Sequence, residues 1–296
     1  MEHLTDSRVV PALEDRKLKE IEHSRKRRTI LQGFERYSDT NRTEEAAGLS
    51  SLIRDPEQFK YHFSNTKFYS IAVSSETYYH NWIRDRCRGA KALDYCCGNG
   101  ENGLFMAQNG ADVTGIDISP EGVANANLNA AQLGLQQRCR YVVMDAEATS
   151  FPDRSFDLIV EYGALHHLDY GNAMNELRRI VKPGGFIVCI EALRHNPIIH
   201  LYRKRTPHLR TAWEVEHIIG VGHLKWSREY FGTVKPRFFH LAALAAVPFR
   251  KTRLFRPLRR VLDSVDSVIL RIPFVRRFAW QCVYILSEPT RQAPLN

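Results

Sequence analysis

Apolar and polar positions follow two rhythms along this chain. Five short stretches, at 92–96, 112–116, 141–144, 156–160 and 186–190, are apolar at most positions and rich in β-branched or aromatic side chains. Strands covered on both faces read this way, because they have no side left for polar residues. Between these runs, apolar residues recur at the helical period. Ser119-Pro120 predicts an N-cap followed by proline at the first helical position, and Gly134 predicts the end of that helix. Strands alternating with helices predict a doubly wound α/β domain around a mostly parallel sheet. Two more strands are expected at 233–240 and 278–286. The ~37 residues between them are far too many for a hairpin turn. There Leu258, Val261, Leu262, Val265, Val268, Ile269 and Ile272 recur at helical spacing beside Arg256, Arg259, Arg260 and Arg271. A helical insertion over 241–277 is therefore predicted, packed on the domain, on a second subunit, or lying on a membrane surface through 254–277.

Length and composition narrow the class. The 296 residues suffice for one large core with decoration. The longest apolar run, Phe238 to Phe249, is broken by His240 and Pro248, short of the ~18 residues that span a bilayer. The amino terminus lacks the apolar centre of a signal peptide. Cysteines 87, 96, 97, 139, 189 and 282 show no paired metal-ligand spacing. They read as reduced packing residues, which predicts a cytoplasmic protein without a metal site. Charge is uneven. From residue 201 onward 18 Lys/Arg face 6 Asp/Glu, whereas the first 200 residues carry 24 against 27. Such a basic surface serves solubility, or attracts an anionic substrate, a membrane or nucleic acid. Residues 1–60, with the basic run Arg16 to Arg28, are expected to be a partly flexible segment ahead of a domain at 61–296.

The chemistry is concentrated in Lys91 to Gly103, KALDYCCGNGENG. A buried strand runs into a turn with Gly98, Gly100 and Gly103, where the backbone can turn sharply and approach a ligand. Turns of this kind at strand ends are where open α/β sheets bind nucleotides. Gly98-x-Gly100-x-x-Gly103, with Asp117 following 19 residues after Gly98, also fits a dinucleotide fingerprint, so an NAD(P)-type oxidoreductase is one reading. Asp94 favours another. A carboxylate at the strand end has no evident use beside a pyrophosphate, but suits a cofactor with an ammonium and a sulfonium.

The residues ALDYCCGNG resemble the first motif of the class I S-adenosylmethionine (SAM) methyltransferases, with Cys96 where the family usually has its first glycine. The resemblance continues in the family's order through Val113 to Ser119, Val142 to Glu147, Phe151 to Val160, and Leu177 to Ile190. It implies a Rossmann-like seven-stranded sheet with an amino-terminal helical cover and a cofactor half at 90–192. It also implies the cofactor contacts. Asp94 would lie near the SAM amino group, with Cys96, Gly98 and Gly100 as close-approach backbone. Asp117 would hold the ribose hydroxyls and Ile118 would lie on the adenine face. Asp145 and Ala146 would read the adenine edge. The backbone at Glu161 and Tyr162 would meet the methionyl amine.

Substrate recognition is expected outside the sheet. Tyr61 to Trp82 is dense in aromatics, and Tyr61, Tyr69, Tyr78 or Tyr79 could touch the cofactor carboxylate or the substrate. Residues 194–232 would form a substrate-side lid, and Arg194 to His217 resembles a small-molecule, natural-product subgroup of the family. His166 and His167 follow the fourth strand, where the resemblance puts the transferable methyl. One of them is the candidate base for a hydroxyl, phenol, carbon acid or protonated amine. The sequence thus points to SAM-dependent methyl transfer to a small organic acceptor, lipophilic or anionic, at oxygen first and then carbon or nitrogen. Ubiquinone and menaquinone methyltransferases are similar. An RNA methyltransferase using the basic carboxyl-terminal third, and a SAM-binding protein without catalysis, are the other readings; a homodimer is compatible with all of them.

Overall fold

In the computed structural model, residues 14–28 and 64–290 are described. Seven strands form one sheet: β1 (Lys91–Tyr95), β2 (Asp112–Asp117), β3 (Cys139–Val143), β4 (Phe156–Tyr162), β5 (Val181–Ala192), β6 (Phe231–Phe239) and β7 (Gln281–Pro289). Their order is β3-β2-β1-β4-β5-β7-β6. Neighbours from β3 to β5 pair in parallel, whereas β7 runs antiparallel to both β5 and β6. This is the Rossmann-like sheet that the resemblance implied, and all seven expected strands are present. The chain reverses its direction of travel across the sheet between β1 and β4, which opens a crevice at their carboxyl ends.

Helices cover both faces. Among the described residues, the α-helices of six residues or more are α1 (Asp15–Arg28), α2 (Val73–Cys87), α3 (Glu101–Gln108), α4 (Pro120–Gln132), α5 (Tyr170–Ile180), α6 (Pro197–Arg205), α7 (Ala212–His217), α8 (Val221–Trp226) and α9 (Phe255–Ile269). Successive residues of β5 feed opposite cores. Ile187 and Cys189 join the cluster beneath α5, and Val188 and Ile190 the cluster beneath α2, α3 and α4. This two-residue alternation is why the central strands read as unbroken apolar runs. At the start of α4, Ser119 Oγ accepts from the Gly122 N–H at 3.2 Å and Pro120 follows at the first helical position. Gly134, just past that helix, has φ +67°. The sequence signals for α4 thus act as their chemistry predicts.

The insertion between β6 and β7 is helical, with a 3-10 stretch Ala242–Phe249 followed by α9. One face of α9 packs: Phe255, Leu258 and Leu262 share an apolar cluster with Phe68, Ile199 and Trp280. Buried Asp266 fixes its other end by accepting from the N–H groups of Leu241 (3.1 Å), Ala242 (2.7 Å) and Ala243 (3.0 Å). Among the described residues no helix is long and apolar enough to cross a membrane.

Candidate active site

The carboxyl ends of β1, β2 and β4 open into a cleft of about 350 Å³. Cys96, Gly98, Asp117, Ile118, Asp145 and Ala146 line one part of it, with Tyr69, Tyr162, His166 and His167 further along. Asp117 closes β2. Its Oδ2 accepts from the Gly98 N–H at 2.9 Å and its Oδ1 from the Ser119 N–H at 2.8 Å. The carboxylate therefore holds the glycine turn to the start of α4, and each oxygen keeps acceptor capacity for a ligand hydroxyl. Asp145 lies beyond the end of β3, its Oδ1 accepting from the Glu147 N–H at 2.9 Å. Two carboxylates flanking the apolar Ile118 and Ala146 form the acceptor set that a nucleoside needs, with hydroxyls at one end and an exocyclic amine at the other. The residues present fit SAM.

Three of the expected contact residues, Asp94, Gly100 and Glu161, are not among those lining the cleft. Asp94 is buried behind the turn, where its Oδ2 accepts from the Gly103 N–H at 2.8 Å. Burial pushes its carboxyl well above the usual range. It anchors the first turn of α3 and is not among the cleft-lining residues. Gly100 is also off the cleft wall. A Cβ there would come 2.8 Å from Tyr141 Cζ, and one on Gly115 would come 2.2 Å from Tyr141 Cδ1. These glycines are small because the Tyr141 ring fills the space beneath the turn, its hydroxyl donating to the Gly100 carbonyl at 3.0 Å. Glu161 is fully buried, and its Oε1 accepts from the N–H groups of Ala164 and Leu165. Cys96, by contrast, explains the family's usual glycine. Its φ is +59°, a left-handed conformation costly for a side chain. Burial and then Asp117 push its thiol well above the ordinary value, so it stays protonated and unreactive.

The two histidines differ sharply. Both sit on the 3-10 turn Leu165–His167, rings 4.3 Å apart. His166 Nδ1 lies 2.8 Å from Glu191 Oε2, and its Nε2 is 3.8 Å from Glu214 Oε1. Burial and the neighbouring His167 push His166 down to about 3, so it is neutral. Partial burial of His167 works against its charge, but the 3.0 Å contact from its Nδ1 to Glu20 and the charge of Glu214 lift it to about 9. At neutral pH His167 is a cation and His166 an imidazole with Nε2 available as an acceptor. Glu191 was not foreseen. It ends a strand as Asp117 does, and that shared position was the available signal. Burial lifts Glu191 to about 7; burial and the charge of Glu191 raise Glu161 well above the carboxylate range.

The basic amino-terminal segment supplies a cap. Helix α1 crosses the cleft, with Lys17 Nζ 2.6 Å from Asp145 Oδ2 and 3.2 Å from Glu147 Oε2. Arg16 bonds Glu147 at 2.7 Å and lies 4.5 Å over the Trp213 ring, while Glu20 accepts from Thr211. Lys17 can release Asp145 to a ligand amine while staying paired to Glu147. Of the expected aromatics, Tyr69 lines the cleft, Tyr79 is buried and donates to the Glu161 carbonyl at 3.2 Å, and Tyr78 packs on Phe239. Tyr61 lies outside the described residues.

The Glu20–His167 pair makes cap docking pH-dependent. His167 rises from 6.5 to about 9 on folding, so its contribution is complete below about 6.5 and lost as pH rises through about 9. Emission from Trp213 beneath Arg16, isolated by subtracting a Trp213→Phe variant, should change with a midpoint near pH 9. A flat profile from pH 7 to 10 would contradict this.

Comparison with known proteins agrees with the geometry. Residues 93–189 match the family model described as a methyltransferase domain. The chain is 34% identical over 109 residues to an uncharacterised methyltransferase of Synechocystis, covering 36% of this chain and 49% of that protein. It is 34% identical over 125 residues to the ubiquinone biosynthesis O-methyltransferase of Pseudomonas fluorescens, covering 41% and 53%. The chain thus spans about half the length of the curated relatives it matches. Among solved structures, the PH0226 protein of Pyrococcus horikoshii superposes with TM-score 0.51 at 16% identity, over 80% of this chain and 100% of that one. A geranyl diphosphate methyltransferase complexed with its diphosphate and sinefungin superposes with TM-score 0.50 at 16% identity, over 71% and 78%. Residues 93–189 thus carry the likeness to the class I methyltransferase family. The cofactor of that family is SAM.

Proposed function

We propose that the protein transfers a methyl group from SAM to a small organic acceptor, at oxygen first, then carbon or nitrogen. One arrangement carries this reading: Asp117, Asp145 and His166 line the same cleft, and buried Glu191 backs the His166 ring from behind. Bound SAM supplies an electrophilic methyl on a sulfonium. The chain supplies the rest. Its turn and strand ends hold the cofactor, α1 excludes water, and His166 Nε2 accepts the acceptor's proton while Glu191 orients the ring through Nδ1. Glu191 stabilises the imidazolium as it forms.

A specific observation supports an anionic acceptor. Beside His166 and Tyr69 the cleft has a side arm lined by Arg203 and Arg210, with Glu214 as its acid. Arg210 Nε pairs with Glu214 at 3.3 Å, whereas Arg203 Nη1 donates to the Leu193 carbonyl at 2.9 Å. Burial and Arg210 push Arg203 down to about 10, still a cation. A carboxylate or phosphate on the acceptor would balance it. The test is calorimetric titration with S-adenosylhomocysteine and NADH in parallel, followed by labelled SAM turnover on acceptors with and without an anionic group. Binding of the former alone, and turnover favouring anionic acceptors, is expected. Binding of NADH instead would overturn the reading.

A further inference from the structure

Large apolar side chains stand exposed along one line of the insertion. Leu254, Val261, Val265, Val268 and Ile272 follow one another at intervals of three, four or seven residues on and beside α9, and Phe274 extends the line. Leu254, Val261, Val268 and Phe274 are each more than 60% exposed. Among the described residues, seven of the fifteen exposed large apolar side chains fall between Phe249 and Phe274. The packing of Leu258 and Leu262 accounts for the inner face of this helix, while the outer stripe stays exposed among the described residues.

Charge decides what suits it. Residues 250–277 hold nine Lys/Arg and two Asp/Glu. Both acids are turned inward. Asp266 is buried against three backbone N–H groups, and Asp263 is paired with Arg259 at 2.6 Å. The outer face therefore joins an apolar stripe to exposed Arg253, Arg256, Arg260, Arg271 and Arg277, without an acid. A second copy docked by twofold symmetry would press this basic face against itself. A nucleic acid would use the arginines and leave the stripe in water. An anionic lipid surface satisfies both features, because the stripe enters the interface while the arginines meet the headgroups.

We infer that α9 and its flanks dock this protein peripherally on an anionic membrane. The inference stands apart from methyl transfer, since none of these residues touches the cleft. It does suit an acceptor held in a bilayer. Leu258 and Leu262 share a cluster with Ile199 and Tyr202 of α6, the helix that places Arg203 in the side arm.

The experiment is co-sedimentation of the full chain with phosphatidylcholine vesicles and with phosphatidylcholine–phosphatidylglycerol vesicles, at low and high salt. Binding to the anionic vesicles should be about tenfold tighter or more and fall with salt. The double variants Val261→Asp/Val268→Asp and Arg256→Glu/Arg260→Glu should each lose it about tenfold, with S-adenosylhomocysteine affinity unchanged as the check on folding. Absence of binding at low salt, or variants that bind as wild type does, would overturn the inference. So would a concentration-dependent dimer broken by Val261→Asp/Val268→Asp, or RNA binding lost only in the arginine variant.

Discussion

Replacing Asp117 by alanine is expected to lower S-adenosylhomocysteine affinity by about 100-fold or more, to the edge of calorimetric detection. Hydrogen bonds to a charged acceptor are each worth about 1.5–3 kcal/mol, and about 1.4 kcal/mol is a factor of ten. Two ribose hydroxyls on one carboxylate reach that loss before any structural effect. The same substitution removes the acceptor from the Gly98 and Ser119 N–H groups. The glycine turn then loses its tie to α4. Asp117→Asn keeps one oxygen and should lose less, which separates ligand binding from turn anchoring. Affinity within threefold of wild type in the alanine variant would remove Asp117 from the cofactor site.

The second large effect is on turnover. His166→Ala should reduce kcat by about 10²–10⁴-fold, the range typical of a positioned general base, with KM changing little. Glu191→Gln should give a smaller loss and a changed pH profile. Glu191 titrates at about 7 in the fold, so a wild-type rate that rises through neutral pH should lose this limb in the variant. Stability supplies the control. A carboxyl raised from 4.5 to about 7 on folding stabilises the fold fully below about 4.5 and loses that contribution as pH rises through about 7. The glutamine variant should therefore melt no lower than wild type at pH 8. His167→Ala, in contrast, removes a cation of the cap latch and should act mainly through cofactor retention. Wild-type kcat in His166→Ala would exclude proton abstraction by this ring and favour an acceptor, such as a carboxylate, that needs no base.

Most of the sheet was legible because its strands are buried on both faces and their period of two disappears into solid apolar runs. The glycine turn and the strand-end acids Asp117 and Asp145 were legible because backbone conformation and charge limit which residues suit those places. Their neighbours were harder. Gly100, Gly103 and Gly115 look alike in sequence, and only the fold shows Tyr141 occupying the space they leave. Asp94 and Asp117 both end strands, yet one carboxylate turns behind the turn and the other toward the cleft. Paired histidines gave no hint of which was charged, since that depends on Glu20 and Glu191, 147 and 25 positions away from the rings they touch. The capping role of α1 was invisible for the same reason. Its charges read as a solvated run until Asp145, Glu147 and Trp213 are brought beneath them.

The cap also imposes an order on folding during synthesis. Glu20 meets Thr211 across 191 positions of chain, so the ribosome must add nearly two hundred residues after making α1 before this contact can form. At about 5–20 residues per second that delay is roughly ten to forty seconds. Strands β1 to β4, with the cleft-lining acids Asp117 and Asp145, emerge during the wait. The first helix to be made is therefore among the last to find its complete seat. Through that interval the strand ends that Asp117 and Asp145 border lack the complete cover that α1 gives them in the finished fold.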